Sequence, residues 1–162
     1  MSESSAIVNP KPEPPFGIRQ ASVDDKGRLK FPVEYQEYLA ARGITKLFCT
    51  TLDLKLARIY PIEVWRRNEK IFREGGAHAK AANRMAFLAE AHGDAAELDT
   101  AGRLLLPTKL REVLGLEKQA VFLRIFNDRI DLMTRKAFDD CMTASTANAA
   151  EDLETLEALG LN

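Results

Sequence analysis

Hydrophobic and polar positions follow the same order twice along residues 17–142. Each time, a short helix starts after a proline, an apolar strand follows, and a polar turn leads into a second strand and another helix. These elements are predicted at 33–39, 46–52, 56–60 and from Pro61 onward, and again at 108–114, 120–126, 130–133 and from Arg135 onward. The pattern therefore predicts two copies of one unit.

A ten-residue motif precedes the first helix of each copy. Residues 23–32 read VDDKGRLKFP and residues 98–107 read LDTAGRLLLP, an offset of 75 positions. Both contain an apolar residue, Asp, two variable positions, Gly-Arg-Leu, one more variable position, an apolar residue and Pro. Because the motif and the elements after it agree in order, the chain is predicted to contain an internal duplication.

Each motif predicts a tight turn followed by a strand. A carboxylate that opens a turn can accept hydrogen bonds from backbone N–H groups a few residues further on, and glycine adopts conformations that side-chained residues resist. The predicted turn-forming residues are Asp24, Gly27, Asp99 and Gly102. Alternation along the strands then places Arg28 and Arg103 on the solvent side, immediately after the turns.

Two interpretations of Arg28 and Arg103 are open. Each arginine can pair with the aspartate of its own turn and stabilise it, and for an isolated motif this is the favoured interpretation. However, the duplication brings two arginines to equivalent positions on one surface, and the guanidinium fork matches phosphate oxygens and the edge of guanine. The duplication therefore favours a nucleic-acid interface, to which Lys26, Lys30 and Arg19 add positive charge.

The charge of the chain is distributed unevenly. Its 162 residues hold 23 Lys and Arg against 24 Asp and Glu, a net charge of −1. Residues 17–74 carry +4, residues 98–142 carry +1 and residues 143–162 carry −4, so the total conceals a basic first copy. No apolar run approaches the roughly 20 residues of a membrane span, and the N-terminus lacks a secretory signal pattern, which together favour a cytoplasmic protein.

Composition divides the chain into five segments. The predicted divisions are a flexible proline-rich tail over 1–16, a first half over 17–74, a helical linker over 75–97, a second half over 98–142 and an acidic C-terminal tail over 143–162. The linker is expected to form a hairpin with the helix before it, whose apolar face contains Trp65, Ile71 and Phe72. This hairpin is expected to pack against one side of the body.

Catalytic chemistry has little support in the sequence. Residues 99–102, Asp-Thr-Ala-Gly, resemble an aspartic-protease motif with one residue inserted, but the first copy lacks the hydroxyl residue and the spacing differs. His78 and His92 have no cluster of metal ligands beside them, and no glycine-rich phosphate loop is present. The sequence therefore predicts no enzyme, no metal site, no cofactor and no small-molecule substrate.

The two motifs and their hairpins resemble the MraZ family of bacterial transcription regulators. The hairpins that carry the resemblance are CTTLDLKLARIYPIEVW at 49–65 and VFLRIFNDRIDLM at 121–133, and the resemblance extends over about residues 17–142. It implies a fold that is mainly β with peripheral α-helices, in which two internal repeats form one tandem swapped-hairpin, AbrB-like β-barrel.

The same resemblance implies a function. Subunits would assemble into a homo-oligomeric ring that binds double-stranded DNA at short direct repeats in the promoter of the bacterial cell-division and cell-wall gene cluster. The protein would act as a repressor in the cytoplasm, associated with the nucleoid. Carried over by motif, the DNA-facing residues are Arg28 and Arg103, with Lys26 and Lys30 beside the first.

Two other functions remain open at this point. An AbrB-like antitoxin would bind DNA with the barrel and a toxin partner with its tail, and the acidic segment 143–162 motivates this alternative. Against it, antitoxins of this class resemble a single copy that dimerises, whereas this chain holds two copies. A structural ring that binds no nucleic acid is the third possibility.

Overall fold

A computed structural model describes residues 12–162, and most of the predicted tail over 1–16 lies outside the described residues. The first copy contains β1 (Arg19–Val23), β2 (Arg28–Lys30), α1 (Val33–Ala41), β3 (Lys46–Thr50), β4 (Ala57–Pro61) and α2 (Ile62–Arg73). A 3₁₀ turn at Gly76–His78 leads to α3 (Ala79–His92). The second copy contains β5 (Asp94–Glu97), β6 (Arg103–Leu105), α4 (Thr108–Leu114), β7 (Gln119–Phe126), β8 (Arg129–Met133) and α5 (Arg135–Thr146), and α6 (Ala149–Glu157) follows. None of these described helices is long and apolar enough to cross a lipid bilayer.

The strands of the described region form one antiparallel, eight-stranded sheet. Their order is β5-β3-β4-β8-β7-β1-β2-β6. A bridge between Leu98 and Leu104 brings the two edges of the sheet together, so the sheet curls into a nearly closed barrel with the helices around it. The predicted fold, mainly β with peripheral helices and AbrB-like, is confirmed.

The two copies are interleaved rather than side by side. β1 of the first copy pairs with β7 of the second, and β5 of the second pairs with β3 of the first. β2 pairs with β6, where Leu29 lies opposite Leu104, and β4 pairs with β8, where Ala57 lies opposite Leu132. Both of these residue pairs have the 75-position offset of the repeat, so an approximate twofold axis passes through the barrel between them.

Side chains from both copies fill the barrel. Leu29 and Leu104 are fully buried at the twofold axis, among leucine, isoleucine and valine side chains from both halves. The Tyr35 hydroxyl of α1 donates a hydrogen bond to the Leu123 carbonyl oxygen of β7 at 3.1 Å, and burial raises the pKa of Tyr35 to about 12. Because each half completes the core of the other, neither copy has a hydrophobic interior of its own.

The hairpin of α2 and α3 packs against β3 and β4 through a second apolar cluster. Trp65 of α2 stacks on Phe48 of β3 with ring centroids 4.4 Å apart, and it also contacts Tyr60 and Phe72. The predicted hairpin on one side of the body is therefore confirmed. Ile71 was expected on the same apolar face, but it is 65% exposed, because the packed face of α2 is narrower than the sequence indicated.

The end of the predicted helical linker forms a strand in the structure. Residues 94–97 belong to the predicted helical linker but form β5, because β3 has a free edge that pairs with them from Lys46 to Cys49. This pairing is a tertiary contact that overrides a weak local preference.

Candidate nucleic-acid interface

Each motif arginine is fixed by the aspartate that opens its turn. Asp24 Oδ1 accepts hydrogen bonds from the backbone N–H groups of Lys26 and Arg28, both at 2.9 Å, and Asp24 Oδ2 accepts one from Arg28 Nε at 2.8 Å. Asp99 repeats this arrangement, with Arg103 Nε at 3.0 Å from its Oδ2. The turn therefore orders the arginine through Nε. Within residues 12–162, no hydrogen-bond acceptor is found for the terminal nitrogens of either arginine.

These turns also predict a pH dependence. Hydrogen bonding, led by the backbone N–H of Arg28, lowers the pKa of Asp24 below its ordinary value of 3.8, and the backbone N–H of Arg103 does the same for Asp99. A lowered pKa means that the stabilisation is complete above the ordinary carboxyl pKa and is lost as pH falls through the lowered value.

We expect Asp24→Asn with Asp99→Asn to destabilise the protein at neutral pH by an amount that shrinks below about pH 4. The measurement is the thermal unfolding midpoint of wild type and variant between about pH 2 and pH 6. A difference that stays constant across this range would show that ionisation of these carboxylates does not stabilise the turns.

The two turns are bonded to each other across the twofold axis. The backbone N–H of Phe31 donates to the Gly102 carbonyl oxygen at 3.1 Å, and that of Leu106 donates to the Gly27 carbonyl oxygen at 3.0 Å. In the register of β2 and β6, Arg28 lies opposite Leu105, and Lys30 lies opposite Arg103. The outward side chains of these two strands, Arg28, Lys30, Arg103 and Leu105, are called the β2–β6 face below.

Two buried turn glycines allow a helix of the other copy to approach. Gly27 and Gly102 have φ of +80° and +74°. A Cβ at Gly27 would overlap the Arg111 guanidinium, and a Cβ at Gly102 would overlap the Gln36 carboxamide. Gln36 and Arg111 occupy the same position in the two copies and bond the Phe31 and Leu106 carbonyl oxygens, at 2.7 and 3.0 Å. Their roles were missed in the sequence, where the only signal was a polar residue at the same place in each repeat.

Gly102→Ala is expected to destabilise the protein by about 2–3 kcal/mol. The left-handed backbone costs a side-chained residue about 1–2 kcal/mol, and displacement of Gln36 costs about one hydrogen bond, roughly 1 kcal/mol. Gly115→Ala is the matched control, since Gly115 has φ +64° and open space at its Cβ. Urea unfolding should therefore show a larger loss for Gly102→Ala, and equal losses would exclude a contribution from Gln36 packing.

The two remaining predicted DNA-facing residues, Lys26 and Arg19, lie in different places relative to the β2–β6 face. Lys26 lies exposed in the first turn, two residues before Arg28. Arg19 is the first residue of β1 and lies opposite Leu123. Because side chains alternate along a strand, Arg19 points to the same side of β1 as the buried Val23. Ser22, which lies opposite Lys30, points to the other side. The structure therefore brings Lys26 beside the β2–β6 face and leaves Arg19 away from it.

The charge of this region is only weakly positive. Four bases, Lys26, Arg28, Lys30 and Arg103, lie among three acids, Asp24, Asp25 and Asp99. Non-specific affinity for nucleic acid grows with the number of phosphates neutralised. The face of a single subunit therefore provides little non-specific affinity. What the face does provide is two fixed guanidinium groups on adjacent antiparallel strands, a geometry suited to bidentate contacts.

A known protein family matches the second half of this chain. A family model described as "MraZ protein, putative antitoxin-like" matches residues 89–158, which span the second motif, its hairpin and the C-terminal helices.

Individual relatives match over most of their length. A protein from Chromobacterium violaceum named "Transcriptional regulator MraZ" is 30% identical over 141 residues, covering 85% of this chain and 95% of the relative. Proteins of the same name from Acidobacterium capsulatum and Serratia proteamaculans are 28% and 32% identical. These alignments cover 90% and 68% of this chain, and 98% and 74% of the relatives.

Proposed function

The chain belongs to the MraZ family, and from this premise we propose that it is a transcriptional regulator that binds double-stranded DNA through the β2–β6 face. The observation that carries the proposal is the pair of equivalent arginines on adjacent strands. Each is held through Nε by its own turn, at 2.8 Å in the first copy and 3.0 Å in the second. Both therefore present their terminal nitrogens in an ordered orientation. The regulators named among the relatives support the same class of function.

The proposed contact follows from the outward side chains of the two strands. β2 and β6 lie side by side in the barrel sheet, and the major groove of B-DNA, about 12 Å wide, presents base edges that side chains can reach. Arg28 and Arg103 would donate two hydrogen bonds each to guanine edges or to phosphate oxygens. Lys26 and Lys30 would contact phosphates, which fix register without reading sequence.

The two halves of this site are not identical. Lys30 of the first copy corresponds to Leu105 of the second, and the strand register puts Lys30 opposite Arg103 while Arg28 faces Leu105. We infer that the half of the site around Arg103 makes the additional phosphate contact. Because its two halves differ, the site would bind an asymmetric DNA sequence. Such a sequence suits direct repeats better than a palindrome.

Assembly is part of the proposal because one site is weakly charged. Several subunits in a homo-oligomeric ring would each contact one repeat, and linked weak contacts produce a high combined affinity. The family resemblance suggests that the repeats lie in the promoter of the cell-division and cell-wall gene cluster, and that binding represses it. Such a protein would act in the cytoplasm at the nucleoid.

The test is binding to a labelled duplex taken from upstream of the protein's own gene. Fluorescence anisotropy should show tighter binding to this duplex than to a shuffled duplex of equal length. The affinity should also fall steeply as salt rises, because each phosphate contact releases counterions. Equal affinity for both duplexes would contradict a sequence-specific regulator.

An antitoxin is the second candidate, and the acidic C-terminal helix favours it. Glu151, Asp152, Glu154 and Glu157 leave α6 with no compensating base, and acidic segments can fold on a basic partner. The description of the matching family model as antitoxin-like supports the same candidate. Purification from the native host with a small partner in equal amount would favour this function over an autonomous regulator.

A further inference from the structure

Leu105 is the apolar residue of the β2–β6 face. It alternates with Leu104 and Leu106, which are fully buried, so its side chain points outward on the same side of β6 as Arg103. It is 56% exposed, and it belongs to neither hydrophobic cluster of residues 12–162. The side chain of Leu105 therefore contributes little to the packing of the barrel.

The position of Leu105 matters more than its exposure. A single exposed leucine is ordinary on a protein surface. This one lies directly opposite Arg28 in the register of β2 and β6, and the Cβ atoms of opposed residues in an antiparallel pair are about 4.5–5.5 Å apart. A molecule that contacts Arg28 on this face therefore covers Leu105 as well.

The first copy has a lysine at the equivalent position. Lys30 precedes Leu105 by the 75-position offset of the repeat, and its Nζ donates a hydrogen bond to the Ala101 carbonyl oxygen in the second turn. In the first turn, the equivalent carbonyl oxygen is that of Lys26, and it accepts a hydrogen bond from Arg111 Nη1 at 3.4 Å. Because Arg111 supplies this donor, the first turn needs no lysine at position 105, and the leucine is free to contact a ligand.

Duplex DNA presents one apolar group that suits such a side chain. Thymine carries its C5-methyl group in the major groove, where the polar edges of the bases present hydrogen-bond donors and acceptors. A leucine placed against a phosphate or a polar base edge would remove water without replacing the lost hydrogen bonds. Contact with a thymine methyl group instead buries apolar surface on both partners.

We propose that Leu105 binds the C5-methyl group of a thymine beside the base pair that Arg28 contacts, and that it thereby determines part of the sequence specificity. This inference rests on the proposed DNA binding through the β2–β6 face and identifies a base that the face selects. Base pairs are stacked about 3.4 Å apart, so the spacing of Leu105 and Arg28 places the thymine within about one or two base pairs of the Arg28 contact. Arg103 lies opposite Lys30, so the other half of the site lacks this preference.

Replacing thymine by uracil tests the proposal, because it removes only the methyl group. Fluorescence anisotropy compares two forms of the duplex from upstream of the protein's own gene, one with thymine and one with uracil at every such position. The wild type should bind the uracil form about fourfold more weakly for each methyl group contacted. Leu105→Ala should bind the two forms almost equally.

Two further variants make the test specific to this contact. Leu105→Lys copies the residue of the first half and adds a charge, so it should bind both forms tightly and with equal affinity. Ile71→Ala is the matched control, since it truncates an apolar side chain of α2 that is 65% exposed. It should keep the full difference between the two forms.

The possible results separate this contact from DNA binding itself. A wild type that binds specific and shuffled duplexes equally would overturn the proposed function and this inference together. A preference for the specific duplex, with equal affinity for its thymine and uracil forms, would overturn the inference alone. A difference that persists in Leu105→Ala would also overturn it, because the difference would then arise in the DNA or at another residue. Equal weakening of both forms by Leu105→Ala, without a difference in the wild type, would assign the leucine to sugar carbons instead.

Discussion

Replacing Arg28 and Arg103 together by alanine is expected to lower affinity for the specific DNA by about 30-fold to 10⁴-fold. A well-placed bidentate contact from arginine to a base contributes about 1–3 kcal/mol of discrimination, and two such contacts give about 2–6 kcal/mol, with each 1.4 kcal/mol worth tenfold. The fold should survive, because both side chains are about one-third exposed and surface ion pairs contribute little to stability. Fluorescence anisotropy measures the affinity, and circular dichroism checks the fold.

Two further variants make this prediction specific. Arg28→Lys with Arg103→Lys keeps the charge but removes the guanidinium fork, so it should retain salt-dependent binding and lose the preference for specific over shuffled DNA. Lys80→Ala with Lys136→Ala removes two exposed charges that lie outside the β2–β6 face and should bind as the wild type does. If the double alanine variant bound specific DNA as tightly as the wild type, the assignment of the interface would be wrong.

The second large effect concerns the barrel core at the twofold axis. Leu104→Ala is expected to destabilise the protein by about 2–5 kcal/mol, because it removes a fully buried side chain and leaves a cavity against Leu29, its neighbour on β2. A domain of ordinary stability has only about 5–15 kcal/mol in total. At about 2–4 °C per kcal/mol for this size, the unfolding midpoint should fall by about 5–20 °C.

The next residue along the strand is the control. Leu105→Ala makes the same chemical change on the opposite side of β6, where the side chain is 56% exposed, and surface substitutions usually shift stability by less than about 0.5 kcal/mol. Calorimetry of the two variants should therefore separate them clearly. Equal midpoints would mean that β6 does not have the inward and outward orientation described above.

Local rules govern the turns and the strand alternation of the two motifs. The spacing of Asp24 and Gly27 predicted the turn, and the strict alternation after it placed Leu29 inward and Arg28 outward. The second motif repeated the same signals at the same spacing. Turn chemistry and strand parity depend on residues that are close in sequence, so these features could be predicted from the chain alone.

Contacts between the copies could not be predicted in this way. β5 forms because β3 pairs with it. The Gln36 and Arg111 side chains fit against the turns of the opposite copy because glycines there leave space for them. Arg19 is close to Arg28 in sequence, but its side chain points to the side of β1 opposite to that of Ser22, the residue paired with Lys30 of the β2–β6 face. In each case the deciding partner lies in another strand or in the other repeat, where local periodicity carries no information.

The most direct test of the central claim is footprinting of the purified protein on DNA upstream of its own gene. The proposed function predicts protection of several short repeats at even spacing, which disappears with the Arg28→Ala and Arg103→Ala variant. Absence of protection at protein concentrations that saturate the wild-type assembly would contradict the claim that this chain regulates transcription by binding DNA through its paired arginines.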